Sequence, residues 1–381
     1  MTKNILICIP SYTYGGAEIH SFNTAKALRK LEGVQIYFLA FGRKDNFQEK
    51  LENEGFKTLH FPLSDFLTLS LTNKFVTLFR LLFFLRKFKF HSLFAGTEQC
   101  NLLMGLVWKG IGAKHFFWHQ WGIDPRKNCS YWERLVIKTQ PTYIANSEAC
   151  RGNIAERHCI ENTTKIQIIH NTFNEDLLNV TKVGNKDSFR IAMVANFFDE
   201  KDHTTVLNAL RLFADKYPTS VLKVLFAGRN NGSQLLFQAK AKAFDLDLYP
   251  FVEFVGQVEN IAEFLSGVDI GLLSTKSEGL SNALLEYMAV GLPVIATDIP
   301  QNREALSSEN KFFPVGDEKA CFELFEYFYL NQNLIQEIGK SNRKYVIEHF
   351  SNSVYQNKIL KLVSSSLFGE GQGGGNRSMS N

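Results

Sequence analysis

Residues Gly271-Leu-Leu-Ser-Thr-Lys-Ser-Glu-Gly-Leu-Ser-Asn-Ala-Leu-Leu-Glu-Tyr-Met-Ala-Val-Gly-Leu-Pro-Val-Ile-Ala-Thr297 read as a strand, a glycine-containing loop, a helix and a second strand. Ser281 or Asn282 can cap the start of the helix, Gly291 supplies the residue just past its end, and Pro293 opens the next strand. In such a unit the amide groups of the loop and first helical turn point outward, with the positive end of the helix dipole behind them. That makes an anion seat without a metal. Glu278 precedes the helix and Glu286 lies slightly more than one turn inside it, so both carboxylates can face one crevice mouth around a bound phosphate. A carboxylate accepts two parallel hydrogen bonds, which suits a ribose diol at one end and a sugar ring at the other.

The same alternation of short apolar runs and longer helical patterns extends in both directions. Strands are predicted at 5–11, 34–41, 58–61, 92–96, 115–119, 143–146 and 166–169 in the first half. In the second half they are predicted at 190–195, 222–227, 252–255, 270–274 and 293–297. The pattern predicts an α/β chain of two doubly wound domains, over 1–171 and 189–350. The polar stretch 172–188 reads as a linker, 351–368 as a helix that can cross back to the first domain, and the Gly/Ser-rich tail 369–381 as disordered. A length of 381 residues agrees with two cores rather than one.

Spacing, Gly-Leu-Ser loop, helix end and the following Pro-Val-Ile-Ala-Thr strand together resemble the Glu-x7-Glu signature of retaining glycosyltransferase family 4, the glycosyl transferases group 1. The resemblance extends over nearly the whole chain and implies a GT-B fold, two Rossmann-like domains facing each other across a cleft. It also implies a retaining transferase of the hexosyl or N-acetylhexosaminyl class. Carried onto this sequence, it puts Glu278 on the transferred sugar, Glu286 on the ribose, and the amides of Gly279, Leu280 and Ser281 on the diphosphate. The implied co-substrate is a nucleotide-diphosphate sugar, UDP-sugar in preference to GDP-sugar, with no metal or other cofactor. The implied setting is cell-surface polysaccharide assembly, on a saccharide or lipid-linked acceptor at the inner face of a bacterial membrane.

Three further segments fit this frame. Val194-Ala-Asn-Phe-Phe-Asp-Glu-Lys-Asp-His203 follows a predicted strand and resembles the family's phosphate-binding Gly-Arg-x4-Lys block. Lys201 falls on its Lys, where a fixed cation offsets charge on a leaving diphosphate, but Asn196 stands at the Arg position. Arg229, after the strand at 222–227, is a candidate replacement. Gly15 and Gly16, directly after the first strand, permit close backbone approach to a phosphate or an acceptor. His119 ends the predicted strand at 115–119, where the resemblance implies a His facing the transferred sugar. His20, His115, His170 and His203 read as structural. Asp245 and Asp247 have Asp-x-Asp spacing but precede Tyr249-Pro250 in an expected surface connection, so they read as solvated, not as a metal site.

Composition closes off other classes. With 45% apolar and 21% charged residues and a net charge of +4, the chain is an ordinary globular protein without a basic nucleic-acid footprint. Its six cysteines show no metal-ligand spacing, as expected of reduced thiols, so neither disulfide nor zinc is expected. The apolar run 5–9 is too short for a signal sequence and 75–85 too short to span a bilayer, so a cytoplasmic location is expected, with contact at the inner membrane face left open. Lys74, Arg80, Arg86, Lys87 and Lys89 crowd 73–91 without an acid, among many phenylalanines. That segment reads equally as a site for an anionic membrane surface or as a mostly buried helix, because no single helical face collects its cations. Two other functions remain open on sequence alone: another GT-B enzyme such as a nucleotide-sugar epimerase or an inverting transferase, and a catalytically idle nucleotide-sugar-binding subunit, for which Asn196 is the hint.

Overall fold

The computed structural model describes residues 2–13, 15–126, 128–183, 188–230, 232 and 234–368. The expected tail 369–381 and part of the expected linker, 184–187, lie outside the described residues. The chain divides into two compact units, one formed by residues 1–171 with the chain from Asn352 onward, the other by Thr172–Ser351.

In unit 1 strands and helices alternate: β1 Lys3–Ile9, α1 Gly16–Leu28, β2 Val34–Ala40, α2 Asn46–Asn53, β3 Lys57–His60, α3 Leu71–Arg86, β4 Phe90–Ala95, α4 Glu98–Val107, β5 His115–Gln120, α5 Tyr131–Ile137, β6 Thr142–Ala145, α6 Glu148–His158 and β7 Ile166–Ile168. Among the described residues the strands form one parallel sheet in the order β3-β2-β1-β4-β5-β6-β7. β1 shows why both faces are covered. Its alternate residues Leu6 and Cys8 enter one apolar core with α3 to α6, while Ile5, Ile7 and Ile9 enter a second with α1 and α2. A parallel strand buried on both sides reads in sequence as a continuous apolar run, as this one does.

Unit 2 repeats the plan with β8 Phe189–Val194, α7 His203–Lys216, β9 Leu222–Ala227, α8 Leu235–Asp245, β10 Val252–Gly256, α9 Ile261–Ser266, β11 Ile270–Leu273, α10 Asn282–Val290, β12 Val294–Thr297, α11 Pro300–Ala305, β13 Lys311–Phe313, α12 Glu318–Leu330 and α13 Ile335–Phe350. Its sheet order is β10-β9-β8-β11-β12-β13, again parallel. All twelve predicted strands are present, and β13 is the addition: three residues leave too short a pattern to read. The final helix, α14 Asn352–Phe368, belongs to unit 1, where Tyr355, Ile359, Val363 and Leu367 complete the core under α1. Tyr355 and Thr24 share a hydrogen bond of 2.7 Å between their hydroxyls.

The stretch expected as a polar linker is packed over its first part. Phe173 and Leu177 are buried in the core of unit 2, and the Val183 amide donates to the Ser266 carbonyl at 2.9 Å. Leu178 and Val180 also pack against that core, so the segment is anchored by apolar side chains that follow no single period. In each sheet the strand order reverses beside the first strand, between β1 and β4 and between β8 and β11. Open α/β sheets bind ligands at the carboxyl ends of the strands at such a reversal, so the loops after β1, β4, β8 and β11 hold the positions of interest.

Candidate active site

In unit 2 the loop after β11 runs through Ser274–Ser281 into α10. Ser281 occupies the N-cap position in extended backbone but its side chain makes no capping bond. Of the two capping candidates Ser281 holds the position without the function, so its hydroxyl does not compete with a ligand for the first-turn amides. Gly291 ends the helix in the left-handed conformation, φ 81°, as its place in the sequence predicts.

What fixes the body of α10 against the sheet is Tyr287, a residue whose type gives no functional signal. Its hydroxyl accepts the Val194 amide at 2.6 Å and donates to the Leu272 carbonyl at 3.2 Å, joining the ends of β8 and β11. Its ring fills the space over Gly271, where an added Cβ would meet it at 2.4 Å. Glycine at 271 is therefore required by close approach and not by backbone conformation.

The loops after β8 and β11 are stitched together. Lys201 and Thr275 form an antiparallel bridge, the Asp202 amide donates to Ser274 at 3.0 Å, and the Lys276 amide donates to Glu200 at 2.8 Å. The Thr275 hydroxyl also donates to Glu200, at 3.0 Å, and the Thr275 amide donates to Thr297 at 3.2 Å. Asp202 caps α7 through the Thr205 amide at 3.1 Å. The outcome is direct contact between the Lys201 ammonium and the Glu278 carboxylate, both largely sheltered from solvent. The resemblance assigns them to different parts of a ligand; in the structure each carries the other's countercharge.

Asn196 has a definite task. Its side-chain oxygen accepts the Arg229 amide at 2.9 Å, and the Phe197 amide donates to the Arg229 carbonyl at 3.2 Å. The two positions considered together on charge grounds are thus neighbours through their backbone. His203, one residue past this loop, stacks on Phe197 at 4.2 Å, and burial holds it neutral at about 4; the structural reading of this histidine agrees with its surroundings.

Glu286 lies on α10, partly exposed, with no hydrogen-bond or cationic partner among the described residues. Enclosure by protein atoms without a countercharge pushes its carboxyl up to about 7. A carboxyl in that state has unused capacity to accept hydrogen bonds.

Unit 1 gathers its own cluster after β1, β4 and β5. Gly15 is the N-cap of α1 and Gly16 its first residue; an added Cβ at Gly15 would lie 2.6 Å from the Glu18 carboxylate. His119, at the end of β5, is buried, and burial, with His20 as a lesser cause, lowers it to about 3. Trp121 joins the two elements, 4.9 Å from the His119 ring and 5.5 Å from the His20 ring. Its indole covers Gly96, where a Cβ would meet it at 2.1 Å. His119 Nε2 and Trp121 Nε1 are both buried without a hydrogen-bond partner among the described residues, and such groups in a native fold call for an explanation. Trp121 stands in the aromatic run Phe116-Phe-Trp-His-Gln-Trp121, where its residue type by itself carries no functional signal.

One group of metal-capable side chains occurs among the described residues, Cys129, Glu133 and His158, with ligand atoms within 4.8 Å of one another. Its carboxylate is already committed: Glu133 pairs with Arg157 at 2.6 Å and accepts the Ser130 amide at 2.8 Å. Arg157 pairs in turn with Asp124 at 2.7 Å. The positive charge a metal would bring is supplied here by a guanidinium.

The observed geometry is a helix start with an unused N-cap side chain beside an ion-paired lysine and glutamate, with a second glutamate on that helix. The profile of the glycosyl transferases group 1 matches residues 188–328, and that of glycosyltransferase family 4 matches residues 14–177. The chain belongs to the family 4, group 1 glycosyltransferases. An uncharacterized glycosyltransferase of Haemophilus influenzae is 27% identical over 291 residues, which is 74% of this chain and 76% of the relative. The capsular polysaccharide biosynthesis glycosyltransferase CapH of Staphylococcus aureus is 23% identical over 322 residues, 81% of this chain and 83% of the relative. HepE of Anabaena, solved in complex with UDP-glucose, shares the fold with a TM-score of 0.78 at 16% identity, over 95% of this chain and 99% of that one. The GT-B fold expected of this glycosyltransferase is therefore the fold it has, and relatives include enzymes of lipopolysaccharide and capsule biosynthesis.

Proposed function

We propose that this glycosyltransferase moves a hexosyl or N-acetylhexosaminyl group from a UDP-sugar to a saccharide or lipid-linked saccharide acceptor, with retention at the anomeric carbon. The setting we propose is assembly of a cell-surface polysaccharide, an O-antigen, capsule or exopolysaccharide, at the cytoplasmic face of the cell membrane. The observation that carries the reading is the Lys201–Glu278 pair at the strand-order reversal of unit 2, beside a helix start whose N-cap side chain is not used. HepE with bound UDP-glucose supports a uridine donor, and CapH supports the polysaccharide setting.

In this reading the donor diphosphate takes the amides of Gly279, Leu280 and Ser281 and draws Lys201 away from Glu278. Glu278, released, accepts hydrogen bonds from the hydroxyls of the sugar, and Glu286 accepts from the ribose diol. The acceptor oxygen attacks the anomeric carbon on the face from which the diphosphate departs. A donor phosphate oxygen takes the acceptor's proton as the old carbon–oxygen bond breaks. Lys201 and the start of α10 stabilise the charge left on the diphosphate without reorganising. Arg229, clasped by Asn196, supplies the second cation, and Gly15, Gly16 and His119 serve the acceptor or sugar from unit 1. A neutral His119 donates or accepts a hydrogen bond; it does not carry charge.

The test is turnover of purified protein with a panel of UDP- and GDP-sugars, with the product's anomeric configuration read by NMR. Lys201→Ala and Glu286→Ala each reduce turnover by well over roughly tenfold; wild-type rates in either overturn the assignment. Inversion at the anomeric carbon, or epimerised donor, points to the other GT-B chemistries. UDP binding without release of diphosphate over hours points to an idle subunit.

A further inference from the structure

The sequence of helix α3 reads equally as a membrane-facing or a mostly buried helix, and the structure shows why. Leu81 and Leu85 are fully buried, and Leu78, Leu82 and Phe84 pack against the core of unit 1. A second side is also apolar. Leu71 is 62% exposed, Phe75 58%, Val76 55%, Phe79 65% and Phe83 56%. At about 100° per residue, positions 75, 76, 79 and 83 form one exposed side of the helix, a ridge turned roughly 130–140° from the side that carries 78, 81 and 85. Two apolar faces on one helix cancel in any search for a single amphipathic side, which is why the segment looked unpatterned. The expectation of a mostly buried helix holds for one face only.

The ridge is continuous with other aromatic surface. Phe79 and Phe83 lie 4.5 Å apart, Phe75 meets Trp132 at 5.8 Å, and Trp132 meets Tyr131 at 5.6 Å, with Tyr131 itself exposed. Its borders are cationic. Arg86, Lys87 and Arg80 are exposed on the flanks of the ridge, and no acid occurs between Asn73 and His91. Scattered single apolar residues on a surface need no explanation, but a contiguous ridge rimmed by polar groups marks an interaction site.

We propose that α3 docks unit 1 on an anionic lipid bilayer. The helix lies in the interfacial plane with Phe75, Phe79 and Phe83 at the boundary of headgroups and acyl chains. Arg80, Arg86 and Lys87 meet anionic headgroups, and Tyr131 and Trp132 sit at headgroup level, where amphipathic rings are favoured. The mode is peripheral, since among the described residues no helix is long and apolar enough to cross a membrane. The aromatic ridge favours lipid over nucleic acid or an acidic protein, because neither needs a row of uncovered phenylalanines. The proposal does not depend on the donor or acceptor of the transferase reaction.

The test is co-sedimentation of the full chain with vesicles of phosphatidylglycerol and phosphatidylethanolamine, against phosphatidylcholine vesicles. Binding to the anionic vesicles is expected, weaker by roughly tenfold or more in Phe75→Ser/Phe79→Ser/Phe83→Ser. It weakens also in Arg80→Glu/Arg86→Glu/Lys87→Glu and in about 0.5 M salt. A Phe79→Trp variant, which keeps the ridge, shows a blue shift of its added emission on the same vesicles, and decides the matter if the serine variant fails to fold. Wild-type protein that stays in the supernatant overturns the proposal, as does unchanged sedimentation of a folded serine variant. A wild-type dimer that the serine substitutions dissociate also overturns it, by assigning the ridge to a second copy of the chain.

Discussion

Lys201 and Glu278 are ion partners although 77 positions separate them in the chain. Their side chains are only 16% and 13% exposed, so each depends on the other for neutralisation. The pair is produced by the antiparallel bridge of Lys201 with Thr275, which holds the loops after β8 and β11 edge to edge.

That dependence makes the two residues a coupled unit in stability and, under the proposed function, in turnover. Removing one partner leaves a sheltered charge uncompensated, whereas removing both does not. A double-mutant cycle with Lys201→Ala and Glu278→Ala in urea unfolding should return a coupling of roughly 0.5–3 kcal/mol. Turnover of the double variant should fall hardly below that of the worse single one. Strictly additive effects in both measurements would sink the coupling.

Glu286 makes the stability of unit 2 depend on pH in the direction opposite to an ordinary paired carboxylate. Its ordinary value is 4.5, and burial without a partner raises it to about 7 in the folded chain. The folded state therefore binds more protons than the unfolded one between these values, and stability falls as pH rises through that window. The full loss is on the order of 3 kcal/mol. Glu286→Gln should be more stable than wild type at about pH 8 and similar at about pH 4, while losing donor affinity. Unfolding curves at both pH values check this; equal pH dependence in variant and wild type would refute it.

His119 acts on the acid side. Its folded value of about 3 lies below the ordinary 6.5, through burial first and His20 second. The unfolded chain binds more protons between these values, so stability is lost as pH falls below 6.5, by about 2 kcal/mol at about pH 5. His119→Asn should flatten the melting-temperature profile between about pH 6 and 4. In the wild type, no inflection of turnover near neutrality should belong to His119. An unchanged slope in His119→Asn would show that this ring is accessible to protons after all.

The strands and the loop-to-helix unit around Glu278 were legible because they depend on local chemistry: apolar runs of strand length, a glycine in the left-handed position at 291, and proline opening β12. Asn196 was legible as a departure but not in its purpose, which needs the Arg229 amide brought beside it from the next strand. Tyr287 and Trp121 were invisible as functional residues. One looked like helix core and the other like an aromatic run, and their roles come from glycines at 271 and 96 that make room for them. The linker misled for the opposite reason, since Phe173 and Leu177 anchor it without any period to read.

By itself the sequence determined the doubly wound pattern, the family, and which residue types stand at each strand end, because each follows from neighbours within a few positions. Only the tertiary structure decided which of those groups meet. Parallel strands place residues distant in sequence at the same sheet edge, so the pairing of Lys201 with Glu278 and the clasp of Asn196 on Arg229 exist nowhere in local pattern. The same holds for the uncompensated enclosure of the partly exposed Glu286 and the open aromatic side of α3, since exposure and electrostatic environment are properties of packing and not of the segment that carries the residue.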